Sequence, residues 1–297
     1  MRLPVLLLCL LAFAFRADKP AYRLYTPALK STSYAKLLRQ AAEADVVLFG
    51  ELHNNPICHW LEFQLTKDLQ AIRKGNLVLG AEMFEADNQT ALSDYVQGKT
   101  TSKELAVQAR LWPNFDTDYK PIADFAREQH IPFIATNVPR RYARLVSRQG
   151  LSALDTISAD GKRQVAPLPI TVDLTLPGYK AMMEMMGGTD GKAGAGQHGS
   201  QPDMTANFAR AQAIKDATMA YFILQNWKSG QTVLHFNGDY HSKNFEGIVW
   251  YLRQKQPNLK ILTLSSVELS DIEKPEVDNR NLADFVLAIP ADMTKTY

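Results

Sequence analysis

Two features are scarce in this chain. Of 297 residues only two are cysteine, Cys9 and Cys58. Cys9 lies in the first apolar run, so the remainder holds a single thiol and no internal disulfide framework. After residue 17 no stretch approaches the roughly 20 apolar residues of a membrane-spanning helix. Charge of one sign is also missing in excess. The formal net charge is +2 and the basic residues are scattered, which argues against nucleic acid as a partner.

The hydrophobic share, 46%, is ample for a large core. The N-terminus stands apart from it. Arg2 precedes an almost wholly apolar run over residues 3–15, the length of a signal-peptide core. Ala12-Phe13-Ala14 fits the small-x-small cleavage rule, and cleavage after Ala17 is the alternative, so residues 1–17 are expected to be a signal peptide and the protein exported. Cys9 follows Leu6-Leu7-Leu8, where lipid attachment wants small residues, so a lipoprotein is not favoured.

The rest of the chain turns on one phrase that occurs twice. Gly50-Glu51-Leu52-His53 follows the apolar run Val46-Val47-Leu48-Phe49, and Gly238-Asp239-Tyr240-His241 follows Val233-Leu234-His235-Phe236-Asn237. Each reads as a buried strand ending in glycine, acid, any residue, histidine. Helical spacing follows each, over residues 58–72 and 245–254. Further strands are expected at 77–81, 132–136, 259–264 and 285–289, with Glu82-Met83-Phe84-Glu85 closing the first of these. Strand and helix alternate, which predicts an α/β fold with a mostly parallel sheet flanked by helices. Residues 18–33 read as a lead-in segment.

The alternation stops near residue 145. Prolines, then Met182, Met183, Met185 and Met186, then a glycine-rich stretch over 187–201 carrying His198, precede a long helix over 203–227. Residues 147–215 are therefore expected to be a smaller inserted helical cap, between core segments 18–146 and 216–297.

In open α/β sheets ligands collect at the carboxyl ends of the strands. Glu51, His53, Glu82, Asp239 and His241 are placed there. Such groups bind a divalent metal (His53, His241 and Asp239 as ligands), act as general acid and base on water, or only order the turns. Gly50 and Gly238 are expected to permit tight turns. His59 and His130 are expected at the surface, His235 in the core, and Arg140 or Arg141 within reach of an anion. The methionines are ordinary core or an adaptable apolar surface, and Tyr179 beside them is the residue type that ligates ferric haem as phenolate.

The phrases Phe49-Gly50-Glu51-Leu52-His53-Asn54, Glu82-Met83-Phe84-Glu85 and Gly238-Asp239-Tyr240-His241, with the helix segments Phe208-Ala209-Arg210-Ala211-Gln212 and Lys215-Asp216-Ala217-Thr218-Met219-Ala220, resemble the ChaN-like haem-binding uptake proteins of the Tiki superfamily. The resemblance implies an exported, periplasmic or outer-membrane-associated bacterial protein of iron acquisition. It implies ferric b-type haem, a dimer when loaded and an outer-membrane transport partner. It also implies a ligating tyrosine, taken as Tyr179, a propionate-side histidine, taken as His198, and a contact surface of Met182, Met183 and Met186. Hydrolases of the same superfamily imply the alternative, a metal-dependent peptidase or esterase using Glu51, His53, Glu82 and His241.

Overall fold

The computed structural model describes residues 19–187 and 204–297; the expected signal peptide, Cys9 and His198 lie outside them. Eight strands form one sheet: β1 Arg23–Tyr25, β2 Ser31–Thr32, β3 Val46–Glu51, β4 Leu77–Glu85, β5 Phe133–Asn137, β6 Thr232–Gly238, β7 Ile261–Leu269 and β8 Phe285–Pro290. Their spatial order is β2-β1-β8-β7-β3-β6-β4-β5. Strands β3 to β8 run parallel; β1 is antiparallel to both β2 and β8. This antiparallel edge is the one sheet feature absent from the sequence reading, in which residues 18–33 were a lead-in. Three- and two-residue strands carry too little periodicity to be seen.

The α-helices are α1 Tyr34–Glu43, α2 Pro56–Arg73, α3 Gln89–Val96, α4 Ser102–Gln108, α5 Lys120–Gln129, α6 Arg140–Gln149, α7 Ala159–Lys162, α8 Pro177–Gly187, α9 Met204–Asn226 and α10 Ile248–Lys255. Local chemistry sets their ends. Ser33 caps α1 by accepting from the Lys36 N–H, and Asn55 caps α2 by accepting from Ile57 with Pro56 in the first turn. Thr101 and Glu104 close a capping box on α4.

The sheet is buried on both faces because alternate residues of one strand serve opposite cores. Val47 and Phe49 of β3 join Leu61, Leu65 and Leu69 of α2 and Ile122 of α5. Val46 and Leu48 join Met219 and Ile223 of α9 and Val249 and Leu252 of α10. Each such leucine or isoleucine is worth roughly 1.5–3 kcal/mol of burial.

The inserted cap comprises α7, α8 and the segments around them, folded onto α6 and α9 through Val146, Leu154, Val165 and Ile214, and through Tyr179, Ala209 and Ala213. The expected boundary at residue 215 falls inside α9, whose first half holds the cap and whose second half lies on the sheet. Among the described residues no helix is long and apolar enough to cross a membrane.

Candidate functional site

The two copies of the phrase end on neighbouring strands. Glu51 of β3 stands in register with Gly238 of β6, and β4 flanks β6 on its other side. The three strand ends therefore bring Glu51, Glu82 and the 238–241 turn together. Neither glycine is there for a left-handed turn, since neither has a positive φ. Both are required by close approach. A Cβ on Gly238 would stand 2.6 Å from His53 Nε2, and one on Gly50 would stand 2.8 Å from the Leu264 carbonyl oxygen.

A cleft of about 520 Å³ opens over these ends, within the usual range for small-molecule sites of roughly 300–1,000 Å³. Its floor holds His53, Glu82 and His241. One wall is apolar: Met182, Met185 and Met186 of α8 with Phe208 of α9. Trp112, from the aromatic loop after α4, packs edge-on against the His53 ring. Arg140 and Lys215 supply cationic groups, and Tyr240 exposes a phenol at the cleft.

The floor is an ionic chain. His241 Nε2 lies 3.2 Å from Glu82 Oε1 and His241 Nδ1 lies 2.6 Å from Asp216 Oδ1. Glu82 Oε2 accepts from the Gly238 N–H at 2.8 Å, and the Tyr179 hydroxyl donates to Asp216 Oδ2 at 2.6 Å. Burial opposes charge on His241, but the flanking Glu82 and Asp216 outweigh it and push the imidazole up to about 10. Burial likewise opposes charge on Glu82, and the nearby His241 imidazolium with His53 and Lys215 holds it well below the usual carboxylate range.

Beside it, His53 Nδ1 sits 2.7 Å from Glu51 Oε1. Burial lowers the His53 imidazole, but Glu51 and Glu82 raise it further, and the net direction is up. Glu51 continues into a second, buried group. Its Oε1 also accepts from Tyr119 at 2.7 Å, and its Oε2 lies 3.6 Å from His59 Nδ1. His59 Nδ1 is 3.3 Å from Glu62 Oε2 and His59 Nε2 is 3.3 Å from Asp118 Oδ2. Burial, and then the neighbouring Glu51, push the Glu62 carboxyl well above its ordinary value.

Several sequence expectations change here. Tyr179 is buried, is committed to Asp216 and is not part of the cleft wall; burial and the Asp216 charge hold its phenol far above the ordinary range. Asp239 turns away from the cleft and accepts from Ser265 Oγ at 2.5 Å. With Asp239 committed to Ser265, His53, His241 and Asp239 do not form one metal-ligand set. His59, expected at the surface, is 5% exposed, because its face of α2 turns toward Glu51 and Asp118. Met183 packs with Tyr179 under the cap, while Met182 and Met186 reach the cleft.

Other expectations stand. His235 is fully buried, held by Thr136 Oγ1 at 2.8 Å, and His130 is exposed at the end of α5. Arg140 is the arginine at the cleft; Arg141 pairs with Asp87. The residues that sequence reasoning passed over are Tyr240, Lys215 and Trp112 in the cleft, and Glu62 and Asp118 behind it. The His59 to Glu62 spacing, three apart on a helix, was a readable sign that both share one face.

The family described as haem-binding uptake, Tiki superfamily, ChaN, matches residues 37–252. A solved structure of ChaN of Campylobacter jejuni with cofacially bound haem superposes with a TM-score of 0.66 at 17% identity, covering 90% of this chain and 96% of that one. The type III effector HopBA1 superposes with a TM-score of 0.44 at 12% identity, over 92% and 99% of the two chains. No curated protein matches the chain.

Proposed function

The chain belongs to the haem-binding uptake family, ChaN, of the Tiki superfamily, and from that premise we propose that it is an exported bacterial protein that holds ferric b-type haem in the cleft at the β3, β4 and β6 ends and serves iron acquisition. One observation carries the reading: the cleft joins an apolar methionine wall, two cationic side chains and an exposed phenol. A flat apolar macrocycle with two carboxylates and a ferric centre asks for those three things. Met182, Met185, Met186 and Phe208 cover the ring face. Arg140 and Lys215 meet the propionates, Arg140 through a planar donor fork. The phenol for the iron is Tyr240 rather than Tyr179, since the Tyr179 hydroxyl is given to Asp216. Haem, when bound, supplies a ferric centre that takes a phenolate oxygen.

Loading brings two copies together in this reading. Met185 and Tyr240 are 76% and 53% exposed, so a ring seated against them keeps an open face that a second copy covers. The apolar N-terminal run supports export, and the proposed transport partner is an outer-membrane protein. The test is titration of the purified protein with ferric haem, followed by absorption and by sedimentation. A saturable high-spin tyrosinate-type spectrum and a doubled mass are expected. Absence of saturable binding overturns the proposal.

A second reading, hydrolysis, is favoured by the His53 and Glu51 pair. The carboxylate holds one ring nitrogen of a histidine that lines the cleft, as for a general base. His241 does not share that role, because its proton is held from both sides. A peptidase and esterase screen decides it: turnover lost in His53→Ala supports it, and no turnover by the native protein removes it.

A further inference from the structure

We propose that Glu51, His59 and Glu62 form a binding site for one divalent transition-metal ion, buried behind the cleft floor. The inference does not rest on the haem reading. His59 and Glu62 come from one face of α2, three residues apart, and Glu51 from the end of β3. One ligand atom from each lies within 4.8 Å of the other two. The His59 Nδ1 distances, 3.3 Å to Glu62 Oε2 and 3.6 Å to Glu51 Oε2, are close to those of two ligands on one ion. Metal bonds of about 2.0–2.2 Å in a tetrahedral site hold ligand atoms roughly 3.3–3.6 Å apart.

The hydrogen-bond pattern is what a metal site requires around its ligands. His59 Nε2 faces two acceptors, Asp118 Oδ2 at 3.3 Å and the His53 carbonyl oxygen at 3.2 Å, so a proton carried on Nε2 is fully satisfied and Nδ1 is the nitrogen available to an ion. Nδ1 then presents its lone pair to two carboxylates. Asp118 is itself fixed by Asn114 Nδ2 at 2.6 Å, completing a carboxylate, histidine, ion arrangement. Glu51 is oriented through its other oxygen, which accepts from Tyr119 and faces His53 Nδ1.

Two buried oxygens face the place of the ion. Among the described residues Glu51 Oε2 and Glu62 Oε1 have no hydrogen-bond partner, and both side chains are 0% exposed. Without an ion, satisfying this cluster takes two protons, one on His59 Nδ1 toward Glu62 and one shared between the Glu62 and Glu51 carboxyls. A cation between the three residues satisfies the imidazole and both carboxylates together. Imidazole with two carboxylates suits Zn²⁺, Mn²⁺ or Fe²⁺.

Co²⁺ is the probe, because its visible absorption reports the coordination of the ion. The full-length protein, stripped with chelator and equilibrated with CoCl₂, is expected to retain one ion per chain with the intense bands of a low-coordinate site, displaced by Zn²⁺. Glu62→Gln keeps the side-chain volume and is expected to weaken retention at least tenfold. Asp118→Asn, acting on the ligand rather than the ion, is expected to weaken it about 10–100-fold. His130→Asn, at an exposed histidine far from the cluster in sequence, is expected to leave it unchanged. Circular dichroism of each variant separates lost binding from lost fold, and Asp118→Asn decides if Glu62→Gln does not fold. No retained Co²⁺ in the native protein, or retention unchanged in Glu62→Gln, overturns the proposal.

Discussion

The Tyr179 hydroxyl donates to Asp216 Oδ2 at 2.6 Å, and through the other Asp216 oxygen it ends a chain running to His241 and Glu82. The cap is thus tied by one phenol to the ionic floor of the cleft. Removing that phenol leaves Asp216 with one partner fewer in a buried place. Tyr179→Phe is expected to lower stability by about 1–3 kcal/mol, the usual cost of an unpaired buried group. Urea unfolding of the two proteins measures it.

The two glycines of the repeated phrase make a steric prediction. Gly50→Ala sets a methyl 2.8 Å from the Leu264 carbonyl, which is backbone and cannot yield cheaply. Gly238→Ala meets the His53 ring at 2.6 Å, which can swing. Both lose stability, by roughly 1–3 kcal/mol as overpacked sites do, with Gly50→Ala the worse. Gly238→Ala, by displacing His53, is expected to alter ligand binding in the cleft more than Gly50→Ala at equal loss of stability. Thermal unfolding and haem titration side by side separate the two effects.

Much of this was legible in the sequence, for identifiable reasons. The strand ends were readable because β3, β4 and β6 are apolar runs closed by glycine or acid. Which way each acid turns was not. Glu51 and Asp239 occupy equivalent places in the two phrases, yet Glu51 reaches Tyr119 and His59 while Asp239 reaches Ser265, because different elements pack beside each strand. Tyr179 and Tyr240 were equally visible as tyrosines. Only the fold shows that one is buried on Asp216 and the other is exposed at the cleft. Residues that act through long-range contact, such as Asp118 on His59, leave no spacing to read.

The His241 ion pairs fix a pH dependence. Its folded value, raised to about 10, lies above the ordinary histidine value of 6.5. Its contribution is therefore fully present below about 6.5 and is lost as pH rises toward 10. Glu82 runs the other way: its folded value is depressed, so its contribution is present above 4.5 and lost as pH falls further. The paired charges together favour the fold between these limits. Breaking the buried pair in His241→Ala is expected to cost about 3–5 kcal/mol near pH 7. Denaturant midpoints from pH 5 to 10 should decline on the alkaline side in the native protein and decline less in the variant.

Arg140 tests the anionic end of the cleft. Its guanidinium is largely exposed, and its nearest carboxylate, Glu85, is 4.0 Å away. An exposed charge pair is worth about 0.2–1 kcal/mol, so Arg140→Ala is expected to weaken haem binding by no more than about fivefold. The loss should shrink as salt is raised. Esterified haem, which lacks the propionate charges, should bind the native and variant proteins alike.

The sharpest test compares the two tyrosines. Tyr240 is 53% exposed at the cleft, beside Met185 and Met186 on its apolar wall. Lys243 lies 3.5 Å from its ring centroid and steadies it. Among the described residues Tyr240 has no hydrogen bond to break on ligation, whereas ligating through Tyr179 requires its release from Asp216 and a shift of α8. With ferric haem, Tyr240→Phe is expected to lose the tyrosinate-type charge-transfer band and to bind at least tenfold more weakly. Tyr179→Phe is expected to keep the band, with binding reduced only as far as its stability is. The reverse pattern would return the iron to Tyr179 and require α8 to move on loading, which hydrogen exchange along residues 177–187 would register as a loss of protection.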